Sequence, residues 1–148
     1  NILVAAQPSA LATPDKDREL LGEDRVRKAY PYRSLLDAGV RLSFGSDVPG
    51  ERFLDPLFLM HLAVNREGEE AITAEDALRC YTVGSAYAEF EEDRKGRIKK
   101  GMFADLTVLS DNPLEVPKEK IKDIEADMTI VGGKVMYERP RKGKTDFF

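Results

Sequence analysis

The chain alternates between short apolar runs and apolar positions spaced three and four residues apart, a pattern typical of strands separated by helices. The first run, Ile2–Ala6, ends at Gln7-Pro8 and predicts a buried strand. Tyr32–Ala38 lies between a proline and a glycine, the asymmetry expected at the two ends of a helix. Val40–Ser46 then alternates between apolar and small or polar residues and predicts a second strand. Strand, helix and strand in this order indicate a βαβ unit with parallel strands.

Helical spacing continues up to about residue 91. Asp55, followed by Pro56, predicts the N-cap of one helix, and Thr73 with Asp76 has the spacing of a capping box at the start of the next. The predicted elements are a loop over residues 9–24, one or two helical turns over Asp24–Ala29, helices over Asp55–Arg66 and Thr73–Tyr81, and a short helix Ser85–Phe90 after a kink at Gly84.

The pattern changes near residue 92, where glycines begin to separate short β-like runs. Gly132-Gly133 lies between two of these runs and predicts a hairpin. The predicted elements here are strands Leu106–Leu109, Met128–Val131 and Val135–Tyr137 and a helical turn at Lys118–Asp123. We therefore divide the chain into a βα-type part, residues 1–91, and a β-rich small domain with a tail, residues 92–148.

Composition and charge exclude several classes of function. Hydrophobic residues make up 42% and charged residues 34% of the 148 positions, which is typical of a folded globular chain. The net charge of −4 is interspersed, which argues against nucleic acid or an anionic membrane as partner, and no apolar run reaches the roughly 18 residues that a membrane span needs. We expect the basic residues Arg139, Arg141, Lys142 and Lys144 to form a solvated terminus.

Cys80 is the one cysteine, so no intrachain disulfide can form. This favours a reducing, cytoplasmic compartment. The residue lies in a helical pattern, and we expect a small buried core residue rather than a nucleophile.

Asp47 is the strongest candidate for chemistry. It follows the second predicted strand, on the face that carries Ser43 and Gly45, whereas Leu42 and Phe44 on the opposite face would pack against helices. The carboxyl ends of parallel strands are where α/β proteins form active sites. A carboxylate there can ligate a metal or take a proton from bound water, and the alternative is an exposed aspartate in a loop.

The stretch around Asp47 resembles a known family. Val40–Pro49, read as VRLSFGSDVP, is similar to the last barrel strand of the amidohydrolase superfamily, above all to its N-substituted formamide deformylase-like branch. Other stretches resemble the same branch in the same order and cover nearly all of residues 2–138: Gln7-Pro8, Tyr30–Gly39, Asp55–Leu57, Ala63–Arg66, Ile72–Leu78 with Thr82, Gly96–Gly101, Ala104–Leu109 and Thr129–Val135.

The resemblance implies an α/β fold built from the last two βα units of a (β/α)8 TIM-like barrel, followed by the C-terminal part of a small β-sandwich. It implies a metal-dependent hydrolase of non-peptide, amide-type C–N bonds in small molecules. Asp47 would be both a metal ligand and the catalytic general base or acid. The intact enzyme would hold a divalent metal, with zinc expected. Asp105 would support the small domain and take no part in catalysis.

The chain also departs from the family pattern. The histidine pair of the first barrel strand and the histidines of middle strands have no counterpart. The single histidine, His61, falls on a predicted helix and is expected to be packed or half-exposed there rather than a metal ligand. We expect Tyr30, Tyr32 and Arg33 to pack at a helix start rather than to contact substrate. The chain opens within a predicted strand, so we expect upstream sequence to be missing and this chain alone to be inactive and metal-free.

A second hypothesis remains open at this stage. The chain could be a non-catalytic structural or regulatory module that forms homo-oligomers, because an incomplete barrel leaves exposed sheet edges.

Overall fold

The computed structural model describes residues 2–140. The helices are Pro14–Leu21 (α1), Glu23–Val26 (α2), Tyr32–Asp37 (α3), Pro56–Asn65 (α4), Ala74–Arg79 (α5) and Ser85–Ala88 (α6), with 3₁₀ helices at Pro8–Ala12 and Lys118–Asp123 and a π-helical turn at Cys80–Gly84. The strands are Leu3–Ala6 (β1), Arg41–Phe44 (β2), Leu106–Leu109 (β3), Ala126–Val131 (β4) and Lys134–Glu138 (β5). Within the described part of the chain, no helix has the length and apolar character needed to cross a membrane.

The first two strands pair in parallel, which confirms the βαβ unit. Leu3 lies opposite Arg41 and Ala6 opposite Phe44. The pairing extends one residue further, because the Gly45 amide donates to the Ala6 carbonyl at 3.1 Å. The two strands therefore run in the same direction, and their carboxyl ends lie at the same edge of the sheet.

Helices α3, α4 and α5 form one buried core together with β2. Leu42 and Phe44 are 2% and 4% exposed, as expected for the face that packs on helices. The buried cluster consists of Tyr32, Leu42, Phe44, Leu57, Met60, Ala63, Val64, Ile72, Ala77, Cys80, Ile121 and Ile124. Ala38, the last residue of the helix predicted over Tyr32–Ala38, is exposed because α3 ends before it and the chain turns at Gly39.

The helix ends follow the capping chemistry predicted for them. The Asp55 carboxylate accepts from the Leu57 amide at 2.9 Å, which confirms it as the N-cap of α4. Thr73 and Asp76 form the predicted capping box at the start of α5. Both caps satisfy amides that the first turn of a helix leaves without partners.

Two predictions about helices were wrong. Residues 14–21, predicted as loop, form α1, because Pro14 opens the helix rather than breaking it and Asp15 and Asp17 lie in the favourable first turn. The predicted kink at Gly84 is absent, since Gly84 keeps a helical φ of −65° inside the π-helical turn that joins α5 to α6.

The second half of the described chain forms a separate antiparallel sheet in the order β3-β4-β5. Gly132 and Gly133 form the predicted hairpin, with φ of 56° and 79°, a conformation that glycine adopts without strain. The 3₁₀ helix Lys118–Asp123 lies against α4, with Ile121 at 0% exposure inside the common core. The fold is mixed α/β, and the boundary at residues 91–92 stays a prediction.

The basic stretch is described only in part. Arg139 is not freely solvated as expected, because its guanidinium pairs with Asp127 at 2.5 Å and with Glu125 on the neighbouring strand and loop. Arg141, Lys142 and Lys144 lie outside the described residues.

Candidate functional site

Asp47 is the third residue beyond the end of β2 and begins a tight turn. Its φ of +56° is in the left-handed region, which few residues other than glycine adopt. The turn is closed by the Glu51 amide, which donates to the Asp47 carbonyl at 3.0 Å. Gly50 lies against this turn, where a Cβ would be 3.0 Å from the Asp47 carbonyl and 3.3 Å from its Oδ2. A larger residue than glycine beside the carboxylate would therefore require Asp47 to shift by a few tenths of an ångström.

The Asp47 side chain is exposed, and it stands alone. It lines neither of the two cavities described below, and no hydrogen bond reaches its carboxylate from the part of the chain that the structure describes. Within residues 2–140 no group of three or more His, Cys, Asp or Glu side chains comes together in a way that could hold a metal ion. The carboxylate can offer oxygen ligands or accept a proton, but a protein metal site needs about three side chains or more.

Two cavities lie among the helices and the segments that follow them. One, of about 740 Å³, lies beside the start of β2 and is lined by Arg41, Arg79, Arg97 and Lys99 together with acidic and apolar residues. Arg41 stacks on the Tyr87 ring with 3.9 Å between guanidinium and ring centre. The other, of about 1070 Å³, separates the helices from the antiparallel sheet. Neither lining includes a residue of the turn Asp47–Glu51.

His61 lies on α4 and faces the 3₁₀ helix Lys118–Asp123. Its Nδ1 is 3.3 Å from the Lys118 carbonyl and 3.0 Å from the Asn65 amide nitrogen, which itself donates to the Lys118 carbonyl at 2.9 Å. This position agrees with the packing role expected from the sequence. His61 links the two halves of the fold and is not at a strand end.

The aromatic residues at the start of α3 belong to the core. Tyr32 is 3% exposed, and its ring centre lies 5.1 Å from that of Phe44. Burial raises the pKa of Tyr32 to about 12, so its hydroxyl keeps its proton at neutral pH. Tyr30 donates to Asp17 at 2.9 Å. The packing role predicted for both residues is confirmed.

Arg66 is a structural residue that the sequence patterns did not reveal. Its guanidinium donates to the Ala29 carbonyl at 3.1 Å and to the Tyr30 carbonyl at 2.6 Å, where Tyr30 adopts a φ of +51°. Its partners are main-chain atoms more than 30 residues away, which no local motif identifies. Desolvation by burial lowers the pKa of Arg66, although the group remains charged at neutral pH.

Asp105 and Cys80 have structural positions. The Asp105 carboxylate accepts from the Gly132 amide at 2.7 Å and so ties the hairpin to the strand before it, as expected. Cys80 is 3% exposed, and burial raises the pKa of its thiol to about 12. A thiol that stays protonated is a poor nucleophile, which confirms the prediction of a core residue.

The sequence matches the Amidohydrolase family over residues 2–137, and the chain therefore belongs to that family. It is 38% identical over 120 residues to N-substituted formamide deformylase from Arthrobacter pascens, which includes 76% of this chain. It is 36% identical over 124 residues to imidazolonepropionase from Thermoplasma acidophilum, which includes 82% of this chain. The matched regions are 22% and 29% of those two proteins, so the chain spans about a quarter of their length.

Solved structures agree with this assignment. A metal-dependent hydrolase from Pyrococcus horikoshii superimposes with a TM-score of 0.68 and 28% identity, over 79% of this chain and 26% of that protein. Ochratoxinase from A. niger superimposes with a TM-score of 0.63 and 24% identity, over 96% of this chain and 33% of that protein, which supports the fold alone. The mixed α/β fold described above is thus shared with hydrolases of this family.

Proposed function

We propose that this chain is the C-terminal part of a metal-dependent amidohydrolase that hydrolyses amide-type C–N bonds in small, non-peptide molecules. Residues 1–91 would supply the last two βα units of a (β/α)8 barrel, and residues 92–148 would supply the C-terminal share of a small β-sandwich. The observation that carries the proposal is the position of Asp47, just beyond the carboxyl end of a parallel strand in a member of the amidohydrolase family.

The intact enzyme would hold a divalent metal, with zinc expected, and Asp47 would be one of its ligands. The residues described here do not fit such a metal by themselves, because within residues 2–140 Asp47 belongs to no group of three or more His, Cys, Asp or Glu side chains that could hold an ion. We therefore derive no reaction step through the metal from this chain. The chain alone is expected to bind no metal tightly and to be inactive.

The role that this chain can supply is that of a proton carrier. The Asp47 carboxylate is exposed and receives no hydrogen bond from the described residues, so both oxygens are available to a reactant. A carboxylate in this position can take a proton from the attacking water and return it to the leaving amine. Replacement by asparagine keeps the size of the side chain but removes its charge and its basicity.

The test is Asp47→Asn in the longer hydrolase that contains this sequence. Because the chain is similar to an N-substituted formamide deformylase, release of formate from an N-substituted formamide is the first assay. We expect kcat to fall by about 100-fold or more while the melting temperature stays close to that of the parent. Asp111→Asn, in an exposed turn, is the matched control and should leave turnover unchanged. Undiminished turnover in Asp47→Asn would remove the assignment.

A second function is favoured by the surface of the antiparallel sheet. Strand β5 is at the edge of this sheet, and Val135, Met136 and Tyr137 are 54%, 67% and 46% exposed. Exposed apolar edge strands promote association, so the chain could act as a structural or regulatory module that forms homo-oligomers. Sedimentation of the chain across a concentration series tests this alternative. A dimer that Met136→Lys dissociates would support it, and a monomer at all concentrations would exclude it.

A further inference from the structure

The outer edge of β2 carries main-chain groups that β1 does not pair. The Gly45 amide donates to Ala6 on β1. Main-chain groups point to alternate sides along a strand, so those of Ser43 also face β1, and those of Leu42 and Phe44 face the opposite edge. Two carbonyls on this outer edge, just before the turn that begins at Asp47, therefore need another neighbour.

The neighbour is the junction between the π-helical turn and α6. Gly84 packs its backbone directly on β2, so that an added Cβ would lie only 2.0 Å from the Leu42 carbonyl oxygen. The Ser85 hydroxyl lies 3.3 Å from the Phe44 carbonyl and 3.0 Å from the Cys80 carbonyl, and its hydrogen is shared between the two. Helix and strand backbones thus touch at a place where only glycine fits.

The same turn is held from its other side by Gly96. This glycine has a φ of +85°, and a Cβ there would lie 2.7 Å from the Ala86 Cβ and 2.9 Å from the Thr82 carbonyl oxygen. The π-helical turn and the start of α6 are therefore fixed between the loop that leads to the antiparallel sheet and the outer edge of β2. A segment that is packed on both sides has little room to shift when one of its side chains is enlarged.

We infer that Gly84 and Ser85 are positioning residues for Asp47. The Asp47 carboxylate has no hydrogen bond from the described residues, so its place is determined by the main chain that leads to it. That main chain is Leu42–Phe44, whose outer carbonyls rest on Gly84 and Ser85. Displacing the strand away from Gly84 would move the carboxylate, and displacements of about 1 Å in an active site can reduce rates by about 100-fold. The inference rests on the proposed function of Asp47.

The experiment measures kcat and KM of the longer hydrolase with Gly84→Ala, Ser85→Ala and Ser85→Thr, using the formate-release assay. Because Gly84 has a helical φ of −65°, alanine is compatible with the local backbone, and its effect comes from the overlap of its Cβ with the Leu42 carbonyl oxygen. We expect Gly84→Ala to lower kcat by about 100-fold with KM changed by less than about threefold. Ser85→Ala, which removes the hydroxyl without adding bulk, should lower kcat several-fold, and Ser85→Thr should recover most of it.

The control separates positioning from a general loss of stability. Gly68→Ala places a side chain at a φ of +88° with no atom within 4 Å, so it should destabilise the fold without touching β2 and leave kcat unchanged. If Gly84→Ala fails to fold, the two Ser85 variants decide the question. Parent-like kcat in Gly84→Ala or in Ser85→Ala overturns the inference, provided that Asp47→Asn is inactive. Full activity in Asp47→Asn instead refutes the proposed function itself.

Discussion

Ile121→Ala should destabilise the whole fold, although the residue lies in a short 3₁₀ helix of the β-rich half. Ile121 is 0% exposed and belongs to the same core cluster as Leu57 and Met60 of α4. The substitution removes three carbon atoms at about 0.8 kcal/mol each, or about 2.4 kcal/mol of transfer free energy. The cavity left behind adds to this, giving a loss of about 3–4 kcal/mol in the free energy of unfolding.

Urea unfolding gives the size of this loss, and native-state amide exchange gives its distribution. Because the core is shared, amides of α4 and of β4 should lose protection together and by similar amounts. Ile98→Ala is the matched control, since Ile98 is 91% exposed and its truncation should change the unfolding free energy by no more than about 0.5 kcal/mol. A loss of protection restricted to β3–β5, with α4 unaffected, would refute the idea of one cooperative core.

Three further predictions concern caps and titrating groups. Thr73→Ala breaks the α5 capping box and should cost about 1 kcal/mol in urea unfolding, whereas the exposed Thr107→Ala should cost little. Burial tends to raise the pKa of Asp76, but the hydrogen bonds from Thr73 and the charge of Arg33 outweigh it, and the pKa is lowered. The stabilising contribution of Asp76 is therefore complete above the unfolded pKa of about 4. It is lost as the pH falls through the lower pKa of the folded state. Asp76→Asn should therefore flatten the decline of the urea midpoint on acidification, and an unchanged slope would contradict the pKa argument. Burial raises the pKa of Cys80 to about 12, so the thiol of the native chain should react slowly with a disulfide reagent, whereas the chain unfolded in urea should react rapidly. Rapid labelling of the native chain would show that Cys80 is accessible to solvent.

The elements that sequence patterns predict correctly are those with local chemical signals. Asp55 before Pro56 and the Thr73–Asp76 pair mark helix starts through hydrogen bonds within one turn of chain, and the structure contains both. Helix α1 was missed because none of its residues is buried, so it lacks the apolar stripe by which helices are recognised. This helix is stabilised instead by the acidic residues in its first turn and by ion pairs such as that between Arg18 and Asp15.

The remaining differences between the predicted and the observed structure come from contacts between segments that are distant in the sequence. Gly84 looks like a helix breaker in the sequence, and its retention in a continuous helical stretch depends on the Leu42 carbonyl, which is 42 positions earlier in the chain. Arg66 likewise owes its role to carbonyls before α3. Asp47 was predicted as a site residue from strand alternation and family resemblance, and that role stays a prediction. Its left-handed conformation and the close approach of Gly50 could be found only in the structure.

The two faces of β2 differ in a way that bears on function. Parallel strands usually bury apolar side chains on both faces, yet only Leu42 and Phe44 follow that rule here, and the other face carries Ser43 and Gly45. Each large apolar side chain omitted there forgoes about 1.5–3 kcal/mol of burial. The left-handed backbone of Asp47 adds a further cost of about 1 kcal/mol at the end of the same strand. Stability given up at adjacent positions is typical of functional sites, where space and an unusual backbone are needed for a reactant. Because no atom lies within 4 Å of a Cβ added at Gly45, space is left on this face just before Asp47, whereas Ser43 is itself buried at 9% exposure.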